Sequence, residues 1–370
     1  MLRHRPTIER LTPYSPGKSI QEVQEAFGLE SVVKLASNEN PLGPSQRAQS
    51  AAEAALRDIH RYPDGAHRRL IRRLASHLDV PEDFLVVGNG SDEVLKLIGE
   101  AYLDPGDEVV YADPTFSEYA YVARLCGATE RVVPLTSDER HDLQAMAEAV
   151  NPRTKIVFVC NPNNPTGTIV HHDELQSFLD KLPESILVVI DEAYFEYVTD
   201  PRYADTVSWI REGRNIIVLR TFSKVYGLAG LRVGYGIGLP ETIAMVRRVK
   251  EPFNVNSIAQ AAAEAALDDA DHLQASLRLN SEERERVSSR LRELGLRVTP
   301  SQANFIWVEL DGPADPVYRG LLRRGVIVRS GEAFGRPRHL RITIGTPQEN
   351  DLFLDLLPQV LSTLERSATS

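Results

Sequence analysis

Cysteine is nearly absent. The 370 residues hold two, Cys126 and Cys160, too few for a disulfide framework or a thiolate zinc site, so a reducing compartment is expected. Cys160 ends an apolar run and reads as a small buried residue rather than a nucleophile. Positive charge is in deficit as well. The formal net charge of −10 argues against a nucleic-acid surface, because phosphate backbones need clustered Lys and Arg; an anionic small substrate answers to local charge and is not excluded. No apolar run reaches the length that spans a membrane. Met1-Leu2-Arg3-His4-Arg5-Pro6 has no apolar signal region, which makes the cytoplasm the expected location. Metal and nucleotide signatures are also missing: there is no H-E-x-x-H and no Cys/His cluster. Gly17-Lys18-Ser19 has Thr12 where a P-loop needs its first glycine, and Gly234-Tyr235-Gly236-Ile237-Gly238 is followed by Leu239 instead of the closing glycine of a dinucleotide fingerprint.

What is present is an ordinary globular composition, 42% hydrophobic and 25% charged, long enough for two cores. Short runs rich in Val and Ile at Phe84–Val87, Glu108–Tyr111, Lys155–Val159, Ile186–Ile190, Asn215–Leu219 and Arg232–Ile237 read as strands. Amphipathic segments such as Glu93–Tyr102, Leu143–Val150, Glu174–Leu182 and Pro240–Lys250 read as helices. That alternation predicts an α/β fold, a mostly parallel sheet flanked by helices. After about Asn256 the pattern changes: Ser257–Leu294 is almost continuously helical in composition, Gly295 is placed to end it, and strands at Phe305–Glu309 and Leu340–Ile344 precede a helix at Gln348–Glu365. The expected division is an N-terminal arm with part of a small domain over 1–35, a large domain over 36–255 and a smaller α+β domain over 256–370. No low-complexity linker separates them, so a fixed interface is expected.

Polar residues gather where the strands end. Lys155–Cys160 runs into Asn161-Pro162-Asn163-Asn164-Pro165-Thr166-Gly167, Ile186–Ile190 into Asp191-Glu192-Ala193-Tyr194, Asn215–Leu219 into Arg220-Thr221-Phe222-Ser223-Lys224, and Phe84–Val87 into Gly88-Asn89-Gly90-Ser91-Asp92. Ligands of open α/β sheets sit beyond the carboxyl ends of the strands. Taken singly, these are turns, helix caps or a solvated lysine; taken together they describe one site. Leu340-Arg341-Ile342-Thr343-Ile344-Gly345 alternates, which sends Arg341 to the face opposite the aliphatics, towards solvent or a site.

With the motifs at 161–167, 191–194 and 223–224 and Gly227-Leu-Ala-Gly-Leu-Arg-Val-Gly-Tyr235, nearly the whole chain resembles the fold-type I enzymes that use pyridoxal 5′-phosphate, in particular the class I and II aminotransferases. The resemblance implies that Lys224 attaches the cofactor and moves the substrate proton, that Asp191 keeps the pyridine nitrogen protonated, and that Asn164 and Tyr194 bond the ring oxygen. Phe116 would stack on the ring, where many relatives carry Tyr. Gly90, Ser91 and Asp92 would offer backbone N–H groups at a helix start to the cofactor phosphate, and Ser91 also reads as a plain N-cap. Ser223 and Arg232 complete that phosphate set, Arg232 being expected as a charge in apolar surroundings. Arg341 would clamp a substrate carboxylate.

Within the family the chain is most similar to histidinol-phosphate aminotransferases, through Pro13-Tyr14-Ser15-Pro16-Gly17-Lys18, Leu35–Ser45, Arg61-Tyr62-Pro63-Asp64 and Gly325-Val326-Ile327-Val328-Arg329. This resemblance implies that Arg329 and Tyr14 bind a substrate phosphate and that Tyr62 reaches the cofactor phosphate of a second subunit, hence a homodimer. Related scaffolds imply three alternatives: an aromatic (phenylalanine or tyrosine) aminotransferase, a threonine-phosphate decarboxylase, and a cofactor-binding transcription regulator, for whose DNA-binding domain the sequence ahead of Tyr14 leaves no room.

Overall fold

The computed structural model describes residues 3–11 and 17–368. Thirteen strands occur among them: β1 (Val33–Lys34), β2 (Leu85–Gly88), β3 (Glu108–Asp113), β4 (Thr129–Pro134), β5 (Thr154–Cys160), β6 (Leu187–Asp191), β7 (Ile216–Thr221), β8 (Gly234–Gly238), β9 (Arg297–Thr299), β10 (Phe305–Glu309), β11 (Val326–Ile327), β12 (Arg329–Ser330) and β13 (His339–Thr343). The large sheet has the order β2-β8-β7-β6-β5-β3-β4. All its strands run parallel except β8, which is antiparallel to both neighbours. Successive residues on each central strand go to different cores. Val157, Val159, Val188, Ile190 and Val218 face one side, and Ile156, Phe158, Leu187, Val189 and Ile217 the other. A sheet covered on both faces explains why these strands read as unbroken apolar runs. Each fully buried Val or Ile contributes about 1.5–3 kcal/mol.

β4 was not legible. Its sequence Thr-Glu-Arg-Val-Val-Pro is mostly exposed, as suits the charged edge strand of a sheet. The strand expected to begin at Arg232 begins at Gly234, because Arg232 itself adopts a left-handed backbone with φ of 55°.

A second, antiparallel sheet has the order β12-β13-β10-β9. Val298, Ile306, Val308, Leu340 and Ile342 pack there with Val287 and Leu291 and with Phe353 and Leu357 of the closing helix Pro347–Ala368. The expected helix over 257–294 is two helices, Ser257–Ala266 and Ala270–Glu293, with Asp269 capping the second through His272 N–H at 3.2 Å. Ala259, Ala262, Ala263 and Ala266 of the first helix join the core of the large sheet, on which Leu273 and Leu277 of the second also pack, whereas Val287 and Leu291 further along the second helix join the smaller core. N-terminal residues also reach the smaller unit, since β1 pairs in parallel with β11 and Leu35 lies in its core. Among the described residues no helix is long and apolar enough to cross a membrane.

Candidate active site

The carboxyl ends of β5, β6 and β7, the loop after β3, the helix after β2 and one face of the smaller sheet enclose a cleft of about 450 Å³. Its lining includes Ser91, Asp92, Phe116, Asn164, Asp191, Tyr194, Ser223, Lys224, Arg232, Arg329 and Arg341. These are the residues that the strand-end pattern and the resemblance singled out. Gly90 adjoins the cleft through Arg232, as described below. Tyr62 does not line it: its side chain is 82% exposed and its ring stacks on Phe253 with centroids 4.8 Å apart. Tyr14 lies outside the described residues.

Lys224 follows β7 and is half-buried on the cleft floor. Its Nζ donates to the Ser37 carbonyl at 3.4 Å and lies 5.6 Å from the centre of the Tyr194 ring. Burial, followed by the positive charge of Arg341, lowers its pKa to about 8, so a neutral amine is available at modest pH. Asp191, buried at the end of β6, accepts from Tyr119 Oη at 2.9 Å and from the Ala193 N–H at 3.2 Å. Burial raises it to about 6, more than the Tyr119 bond lowers it. A carboxylate held this way gains from a cation set against it. Tyr119 is itself clamped, stacked on Phe158 at 4.8 Å and edge-on to Phe116 at 5.8 Å.

Tyr194 Oη accepts from Asn38 Nδ2 at 2.9 Å, and burial raises its pKa. Asn38 is fixed in turn by Thr343, whose hydroxyl accepts from the Asn38 N–H at 2.9 Å and donates to Asn38 Oδ1 at 3.0 Å, and by Asn304 Nδ2 on its carbonyl at 2.9 Å. Arg341 is buried rather than solvated. It donates to Asn164 Oδ1 and, at 2.7 Å, to the Ala36 carbonyl, and its guanidinium lies 5.4 Å from the rings of both Phe305 and Phe334. With Asn164 Oδ1 so engaged, its Nδ2 can donate to a ligand oxygen. Arg329 stands opposite Arg341 across the β12–β13 pair, and a Cβ built on Gly17 would lie 3.5 Å from its Nη1.

The cup at the start of helix Ser91–Tyr102 differs from expectation in two respects. Gly90, not Ser91, is the N-cap, and Ser91 is the first helical residue. Arg232 is not an apolar-lined charge: its side chain is 44% exposed and pairs with Asp92 at 2.9 Å, with Ser223 Oγ at 3.5 Å. The close approach depends on two glycines. A Cβ on Gly90 (φ 81°) would meet Arg232 Nη2 at 2.6 Å, and one on Gly234 would meet the Ser91 backbone nitrogen at 2.4 Å. Backbone N–H groups of a helix start, a hydroxyl and a guanidinium thus converge as an oxyanion receptor. Cys160 also lines the cleft, but burial pushes its thiol up to about 12. Among the described residues no cluster of His, Cys, Asp or Glu is arranged to hold a metal ion.

Sequence reasoning missed Asn38, Tyr119, Thr343 and Glu118. Tyr119 lies in the helix Glu118–Cys126 while Phe116 precedes it, so no helical spacing tied the two. Asn38 lay within a motif already noted, Leu35–Ser45. Glu118 gave no signal.

Residues 30–357 match the family model of aminotransferase class I and II. The histidinol-phosphate aminotransferase of Moorella thermoacetica is 52% identical over 359 residues, covering 97% of this chain and 93% of that one. The histidinol-phosphate aminotransferase of Geobacillus thermodenitrificans is 48% identical, over 96% and 97%. Among solved structures, the histidinol-phosphate aminotransferase of Sinorhizobium meliloti in complex with pyridoxal-5′-phosphate matches with a TM-score of 0.91 at 29% identity, covering 98% of this chain and 99% of that one.

Proposed function

The chain belongs to the class I and II aminotransferases, and we propose that it transfers the amino group of L-histidinol phosphate to 2-oxoglutarate, giving imidazole-acetol phosphate and L-glutamate in L-histidine biosynthesis. Pyridoxal 5′-phosphate is its cofactor; when bound it supplies an electron-poor ring that draws charge from the donor carbon bearing the amine. The cleft fits that group. Asp191, which burial leaves short of a cation, would hold the protonated ring nitrogen; Tyr194 and the free amide of Asn164 would hold the ring oxygen; and Phe116 would cover the ring. Gly90, Ser91, Asp92, Ser223 and Arg232 would hold the phosphate. Lys224 would attach the cofactor and, as a neutral amine of pKa about 8, take the proton from the donor carbon at Nζ.

The donor assignment rests on the 52% and 48% identity to histidinol-phosphate aminotransferases over nearly the whole chain, and two guanidinium groups in the cleft suit it. Arg341 would clamp the α-carboxylate of glutamate or 2-oxoglutarate, and the second carboxylate of these diacids needs a cation of its own. Arg329, on the same face of the sheet and in the same cleft, would supply that second clamp, taking the donor's phosphate, with Tyr14, in one half-reaction and the acceptor's second carboxylate in the other. Tyr62, exposed and outside the chain's own cleft, would bond the cofactor phosphate of a second copy, which makes the working enzyme a homodimer. The cytoplasm is its proposed location. A donor panel tests the reading. L-histidinol phosphate should exceed phenylalanine, tyrosine and O-phosphothreonine in kcat/KM, and preference for either aromatic amino acid would overturn it.

A further inference from the structure

One charged side chain of the cleft has no assigned task. Four carboxylates line it: Glu39, Asp92, Glu118 and Asp191. Glu39 pairs with Lys34 at 2.9 Å, Asp92 with Arg232 at 2.9 Å, and Asp191 accepts from Tyr119 at 2.9 Å. Glu118 has no hydrogen-bond or ion-pair partner among the described residues. Nor is its position loose. It opens the helix Glu118–Cys126, two residues past Phe116 and one before Tyr119, which is fully buried and bonded to Asp191. A half-buried, unpartnered carboxyl is costly to hold in place. Burial, and then the charge of Asp92, push it up to about 7, and this cost would be offset by a ligand that gives it a hydrogen bond.

The proposed donor has three polar parts. Its phosphate needs cations, and its amine is the reacting group. The third part is an imidazole, whose ring N–H needs an acceptor. Among the charged groups of the cleft, the cations cannot accept it and the other three carboxylates already have partners. Resting on the histidinol-phosphate reading, we propose that Glu118 accepts the ring N–H of the donor and is the residue that distinguishes an imidazole from a phenyl ring. A site built to accept an N–H discriminates strongly against an analogue that lacks it, because the acceptor is then left unpaired.

The test uses two donors that differ only in the ring, L-histidinol phosphate and L-phenylalaninol phosphate, with the holoenzyme and its Glu118→Leu and Glu118→Gln variants. In Glu118→Leu, kcat/KM for histidinol phosphate should fall roughly 10- to 100-fold while the phenyl donor stays within about 3-fold of the parent, so their ratio collapses. Glu118→Gln keeps a carbonyl acceptor and should fall between parent and Leu. Equal losses for both donors, or a ratio unchanged from the parent, would overturn the assignment. Should the Leu variant fail to fold, an unchanged ratio in Glu118→Gln would overturn it as well. Failure of the underlying reading looks different: the parent would then prefer an unphosphorylated aromatic donor, whatever the Glu118 variants do to the ring ratio.

Discussion

Arg329 on β12 and Arg341 on β13 are directly opposed in an antiparallel ladder, so both side chains leave the same face of the sheet, and both line the cleft. Like charges at opposed positions are unfavourable in a sheet. Anionic groups on the substrates would offset that cost, and on the proposed reading the two arginines would divide the work, Arg341 on a carboxylate and Arg329 on a phosphate. Changing Arg329→Gln should therefore lower kcat/KM for L-histidinol phosphate roughly 10²-fold, the loss of a charge-assisted pair. Phenylalanine, which has no phosphate, should suffer far less. Equal losses for both donors in steady-state kinetics would make Arg329 a structural arginine.

Arg341 also acts on Lys224 through its charge. Lys224 is nucleophilic only as the neutral amine, and burial with Arg341 lowers its pKa from the ordinary 10.5 to about 8. The rate at which apoenzyme captures added pyridoxal phosphate should thus rise about tenfold per pH unit below that value and level off above it. Arg341→Gln removes a positive neighbour, so the amine holds its proton more tightly and the midpoint should move to higher pH. A midpoint near the ordinary lysine value in the parent, or one that Arg341→Gln leaves in place, would contradict this coupling.

Asp191→Asn should leave the fold intact and turnover reduced by at least ~10²-fold, because an amide cannot hold a cation as a carboxylate does. The comparison to make is kcat at matched cofactor occupancy, with thermal melting as the control for folding. Turnover within a few-fold of the parent would reduce Asp191 to a residue that merely caps Ala193 and anchors Tyr119.

The reach of Tyr62 is open to a complementation test. An inactive Lys224→Ala protein and an impaired Tyr62→Phe protein should on mixing form hybrid dimers in which one site carries both lesions and the other neither. Activity should partly return. No return after verified subunit exchange would mean that Tyr62 does not serve a neighbour's site.

The fold and most of the cleft residues were legible because two periodicities coincide with chemistry: unbroken apolar runs for strands covered on both faces, and polar residues at their carboxyl ends. The alternation at 340–345 correctly put Arg341 on the non-aliphatic face, although nothing in the pattern said that Asn164 and the Ala36 carbonyl would enclose it. What was not legible depends on contacts distant in sequence. Asn38 matters through Tyr194, 156 residues away, and β4 lacks a hydrophobic pattern because one edge faces solvent. The two helices over 257–293, one Ala-rich and one Glu/Arg-rich, both favour helix, and no local pattern records that the second passes from the large core to the smaller one. Arg232 looked like a buried charge because its neighbours are apolar, whereas its side chain turns back towards Asp92.

An enzyme that takes the amino group from L-histidinol phosphate must do so in a half-reaction that can be followed alone. Holoenzyme mixed with one equivalent of L-histidinol phosphate and no acceptor should lose the visible absorbance of its attached cofactor and release one equivalent of imidazole-acetol phosphate per site. Adding 2-oxoglutarate should then restore the absorbance and yield one equivalent of L-glutamate. An unchanged spectrum with L-histidinol phosphate, beside full conversion by phenylalanine or tyrosine, would show that histidinol phosphate is not the donor.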